Sequence, residues 1–142
     1  YLIELTLRQI EAQKKLIKAD AIFSEGVDLF SLGTEESYQA AAEKFRLATS
    51  LYLEHNEKSE GAGLSIFFLG QILDVFGEKS KALKFYDEAI LFFKNSENEF
   101  LKASLLTRVG GAYFALGESQ KALETFNLAL SISRESDERS AE

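Results

Sequence analysis

The chain has 142 residues, 46% hydrophobic and 27% charged, enough for one domain with a continuous core. It contains no Cys and a single His, which excludes a disulfide framework, a thiolate metal site and a catalytic His dyad, so no cofactor is expected. A net charge of −7 argues against nucleic acid or anionic lipid as partner, because both require a basic patch.

Residues 1–18 read as a lead-in helix. Ile3, Leu7, Ile10 and Ile17 recur at three- and four-residue steps or their multiples, with Glu4, Arg8, Glu11, Lys14 and Lys18 elsewhere. No Gly or Pro interrupts the chain before Gly26, so this helix is expected to run on into the next. Its apolar stripe needs a partner: the first repeat, an upstream element or another protomer, and weak self-association is expected.

Further helices are expected at about 19–32, 36–54, 60–76, 79–94, 99–116 and 119–135. The last four show a fixed period. Gly70/Gly110, Gly77/Gly117, Ala82/Ala122, Tyr86/Phe126 and Ala89/Ala129 are each 40 residues apart. Gly26, Leu29, Gly33, Ala41, Phe45 and Ala48 repeat the order upstream, with three more residues between Gly33 and Ala41 than between Gly77 and Ala82. That insertion is expected as a looser turn at 33–37. Gly33, Gly77 and Gly117 should close the first helix of each pair in the left-handed conformation. Gly26, Gly70 and Gly110 should sit where the paired helices cross, faced by Ala41, Ala82 and Ala122, with Phe45, Tyr86 and Phe126 beside them. Self-similarity at one period marks a repeat protein, in which no pair buries its apolar face alone.

These residues resemble the tetratricopeptide repeat: an apolar residue and Gly, a Gly turn, then Ala, an aromatic and Ala on the second helix. The resemblance covers residues 19–136; Ile22, Ile66 and Leu106 stand where the family has Trp, and its terminal Pro is missing. The period exceeds the usual ~34 residues and is similar to that of bacterial arrays, some of which precede a CHAT protease domain. The implied fold is all-α, a right-handed superhelix (α-solenoid) of three helix pairs plus the lead-in helix. The divisions are 1–18, 19–58, 59–98, and 99–142 with the tail. The chain opens at Tyr1 without Met and ends where a further repeat would begin, so it is expected to be a fragment of a longer array.

The resemblance implies a concave wall built from the first helix of each pair. Its groove positions are Phe23, Val27 and Phe30; Leu64, Phe67, Phe68, Gln71, Asp74 and Val75; and Thr107, Arg108 and Phe114, together with Ser104 and Gly111 on the same helix. So many Phe are unusual on a wall facing water, and Phe67 and Phe68 are expected to dominate binding. The family's chaperone-binding clamp needs Lys, Asn and Arg; Phe23, Val27, Phe68 and Ser104 do not supply it, and only Arg108 fits. The implied function is a scaffold binding a protein or peptide, not an enzyme. The alternative is a structural spacer or self-association module whose groove is covered by its own N-terminal helix or another protomer. His55 lies in a polar stretch and reads as a solvated residue, and the Asp and Glu side chains read as solvated helix faces. Gly110-Gly111 lacks the following Lys-Ser/Thr of a phosphate loop and reads as helix packing. The apolar stretch 64–76 is too short for a bilayer, and a cytoplasmic location is expected.

Overall fold

The computed structural model describes residues 1–56 and 58–141; Glu57 and Glu142, which the boundaries above assign to the first pair and the tail, lie outside the described residues. Six helices account for nearly all of it: α1 (Leu2–Leu32), α2 (Glu35–His55), α3 (Glu60–Val75), α4 (Lys79–Lys94), α5 (Glu99–Ala115) and α6 (Ser119–Ala141). No strand occurs among the described residues, so the fold is all-α. None of these helices is long and apolar enough to cross a membrane. Each helix packs mainly on the next in the chain, and the closest associations are α1 with α2, α3 with α4, and α5 with α6.

The turns inside the pairs follow one rule. Gly33, Gly77 and Gly117 have φ of 72°, 77° and 81°, where a Cβ would be strained, and the next helix begins two residues later each time. The three-residue insertion therefore does not loosen the first turn. Thr34 caps α2 at once, its hydroxyl accepting from the Ser37 amide while the Ser37 hydroxyl accepts from the Thr34 amide. The extra residues become nearly one more turn of α2, and that turn brings Tyr38 against Phe30 and Phe76 at 5.3 and 6.2 Å between ring centroids.

The crossings also differ in detail from expectation. A Cβ on Gly26 would lie 2.8 Å from the Phe45 ring, one on Gly70 2.7 Å from Tyr86, and one on Gly110 2.7 Å from Phe126. The aromatic ring, not the alanine, sits on the glycine. Ala41, Ala82 and Ala122 are buried nearby but are not the nearest groups. Gly63 repeats the device between α3 and Phe93, at 2.8 Å. A flat ring on bare backbone brings two helices close without leaving a void.

The lead-in segment has no boundary at residue 18, since α1 is unbroken to Leu32. At the other end α6 continues past the expected stop near 135 to Ala141, where Arg139 pairs with Glu99 at the start of α5.

Candidate functional site

The candidate wall is divided between an interior and an open half. Phe68 stacks on Phe45 at 4.9 Å with 7° between ring planes, and meets Phe23 and Phe30 edge-on at 5.8 and 5.3 Å. Phe23 also meets Phe45 at 5.6 Å. These rings join α1, α2 and α3 into one cluster, against which Val27 packs half-buried. Phe67 is 2% exposed and Phe68 8%. The two residues expected to anchor a ligand are therefore core residues, because neighbouring helices cover them from both sides. Leu64, Gln71 and Asp74 are half-buried. Val75, Thr107 and Arg108 are exposed, and Phe114 is 68% exposed. Residues 1–11 are exposed throughout.

The open half is organised around α5. The Arg108 guanidinium lies over Phe67 and Phe68, 5.1 and 5.5 Å from the ring centroids, an attraction between a cation and the ring faces. Among the described residues it forms no ion pair. Beside it an open cavity of about 500 Å³ is lined by Ser104, Thr107 and Arg108 of α5 and by Ser133, Ser136 and Asp137 of α6. The α6 residues were not legible as site residues: that helix was expected to end near 135, before Ser136 and Asp137, and Ser133 inside it was not singled out; their serine spacing on a continuing helix was the available signal. At the cavity's edge Arg139 hydrogen-bonds Glu99 and holds its carboxyl below the ordinary range.

Gly111 separates from its neighbour here. Gly110 is needed for the Phe126 ring, whereas a Cβ on Gly111 would meet nothing within 4 Å. Its φ is not positive, so neither packing nor backbone geometry explains it. One helical turn on either side stand Thr107 and Phe114, giving an exposed strip of Thr107, bare backbone and an aromatic ring, with Arg108 adjoining.

A second cavity, about 750 Å³, opens at the end of the pairs where α2 turns into α3 and α4 into α5. Leu16, Phe23, Leu64 and Leu101 contribute apolar surface, and His55, Lys58 and Glu97 contribute to its polar lining. Two of its carboxylates are already engaged: Asp20 accepts from the Tyr52 hydroxyl at 2.5 Å, and Glu60 accepts from the Ser96 hydroxyl. Burial first, then the Asp20 hydrogen bond, push the Tyr52 phenol above the ordinary tyrosine range. His55 is exposed there. No group of three or more metal-ligating side chains occurs among the described residues.

Comparison with protein-family models, curated proteins and solved structures finds no match. The functional reading therefore rests on the site itself.

Proposed function

We propose that the chain is a protein–protein interaction scaffold of the tetratricopeptide type. In this reading the three helix pairs stack into a right-handed superhelix, with α1, α3 and α5 on its concave side. The observation that carries the binding role is the open strip on α5: Arg108, without an ion pair among the described residues and lying over two rings, beside Gly111 and Phe114. Gly in a helix interior costs about 1 kcal/mol relative to Ala, and close approach of a partner is a physical reason for a glycine that packing does not require. The ligand this strip suits is an amphipathic helix or extended peptide that offers an apolar anchor to Phe114 and a carboxylate to Arg108. Ordering a short peptide offsets much of the contact energy, so affinity is expected to be on the order of micromolar. The lone exposed His55 gives no basis for catalysis, and a chain without Cys suits the cytoplasm.

The test is selection of a displayed random-peptide library on the protein. Enriched peptides should carry an acidic residue near an apolar one, and should bind Arg108→Glu and Gly111→Leu more weakly while both variants stay folded and Gly111→Leu melts no lower than the parent. Peptides that bind all three proteins equally would sink this reading.

One observation favours the second reading, a structural spacer. Phe23, Phe30, Phe67 and Phe68 are engaged in contacts between helices rather than offered to a ligand, Phe67 through Tyr86 of α4. On that reading the library enriches nothing.

A further inference from the structure

The first half of α1 carries a surface that the groove does not use. Ile3, Leu7, Ile10, Lys14, Ile17 and Ala21 follow one another in steps of four and three, the spacing of a coiled-coil seam. Ile3, Leu7, Ile10 and Ile17 are all exposed. Ala12, Leu16, Ala19, Phe23 and Gly26, by contrast, are half-buried or buried along the stripe that packs on the body. At about 100° per residue the two stripes lie on opposite sides of the helix. The seam points away from the chain's own body, and no described helix covers it. Past Ala21 the same line continues through Ser24, Asp28 and Ser31, exposed and polar, so the apolar line stops where the helix needs no cover.

We propose that the chain dimerises through this seam, with two copies of α1 antiparallel and their pairing centred at position 12. In that register Ile3 meets Ala21 of the other copy, Leu7 meets Ile17, and Ile10 meets Lys14, each contact occurring twice about a two-fold axis. Glu4 and Glu11 of one copy then flank Lys18 of the other. Lys14 lies next to the other copy's Glu11 and offsets the one like-charge meeting, Glu11 with Glu11 at the axis. The alternatives are poorer. A parallel pair sets Lys14 against Lys14, places Thr6 with Glu11 and Gln13 with Lys18, and brings both bodies to one end. Sliding the antiparallel pair one step inward leaves Ile17 without a partner and sets Glu4 against Glu11. Sliding it outward sets Ile3 against Asp28 and Leu7 against Ser24. A single polar seam residue is a known way to fix register, and Lys14 fills that place. This interface is separate from the Arg108 strip, and neither depends on the other.

Sedimentation of the full chain across concentration should show a reversible dimer. Leu7→Glu should raise its dissociation constant roughly tenfold or more, from the lost apolar burial, and should melt like the parent at dilutions where both are monomeric, because the residue is exposed in the single chain. Lys18→Glu and the pair Glu4→Lys/Glu11→Lys should each weaken self-association, yet dimerise when mixed, since mixing sets Glu against Lys at every flank. Orientation is readable because the chain has no Cys. Oxidised Leu7→Cys and Ile17→Cys chains should crosslink to each other when mixed, and neither to itself. A protein monomeric at every concentration, a dimer indifferent to Leu7→Glu, or Leu7→Cys crosslinking to itself would each overturn the proposal.

Discussion

The middle pair, α3 with α4, and the last pair, α5 with α6, share one crossing and differ in what covers it. Gly70 meets the Tyr86 ring as Gly110 meets Phe126, each with 2.7 Å to a notional Cβ. Yet Tyr86 is fully buried while Phe126 is 36% exposed. Leu83 and Ile90 are half-buried, but their counterparts Leu123 and Leu130 are exposed. The covering on the middle pair is α5, whose Tyr113 hydroxyl donates to Asp87 of α4 at 2.6 Å while Lys121 of α6 reaches the same carboxylate at 3.2 Å. The crossing is thus fixed within a pair, and burial by the neighbour. Two residues 40 positions apart can share geometry and differ in energetic weight.

Truncating the ring on the glycine should expose that difference most strongly. Phe45→Ala, at the equivalent ring of the first pair, which is as fully buried as Tyr86 and also stacks on Phe68, should destabilise by about 3–5 kcal/mol. Phe126→Ala should cost about 2 kcal/mol, because part of that ring stays in water. Urea unfolding of both variants checks the gap; equal losses would show that cover does not set the cost. Next comes overpacking. Gly70→Leu drives a side chain into the Tyr86 ring and should cost about 1–3 kcal/mol or more.

High pH should act on the buried phenols together. Burial is the main cause that raises Tyr52, Tyr86 and Tyr113 above their ordinary value of 10.0; nearby Asp20, Asp74 and Asp87 respectively add to it. Above that value the unfolded chain releases protons that the folded chain keeps, so stability is whole below about pH 10 and falls as pH rises. Thermal melts should decline in this window, and Tyr113→Phe should decline less steeply.

A smaller effect is a gain. The Tyr86 hydroxyl is buried with no hydrogen-bond partner among the described residues, whereas the equivalent Phe45 and Phe126 carry none to satisfy. Tyr86→Phe should keep the ring on Gly70 and stabilise by roughly 1 kcal/mol. A loss of stability would show that the hydroxyl has a partner.

The helix boundaries were legible because glycine at the end of the first helix of each pair is a local requirement of backbone geometry. Gly33, Gly77 and Gly117 fulfil it without help from tertiary contacts. The Gly33–Ala41 insertion was misplaced into the turn because only the Thr34 and Ser37 cap, read as a capping pair, shows that α2 starts at once. Ala and aromatic positions in α2, α4 and α6 were correctly taken as packing residues, but spacing alone did not say that the ring lies on the glycine. The exposure of the groove residues was the least legible part. Phe68 and Arg108 stand 40 residues apart in the sequence, and one is buried by its neighbours while the other lies open. That outcome depends on the next helix, which no local pattern encodes.

The adjacent glycines of α5 test the division between packing and open surface most directly. Gly110→Ala and Gly111→Ala change neighbouring residues by the same methyl group. Gly110→Ala should lower stability, because its Cβ would press on the Phe126 ring at 2.7 Å. Gly111→Ala should raise it by about 0.5–1 kcal/mol, the ordinary gain of Ala over Gly in an unobstructed helix. Opposite signs in paired thermal melts are the predicted result. A destabilising Gly111→Ala would contradict the account, because it would mean that the strip beside Arg108 is packed and not open to a partner.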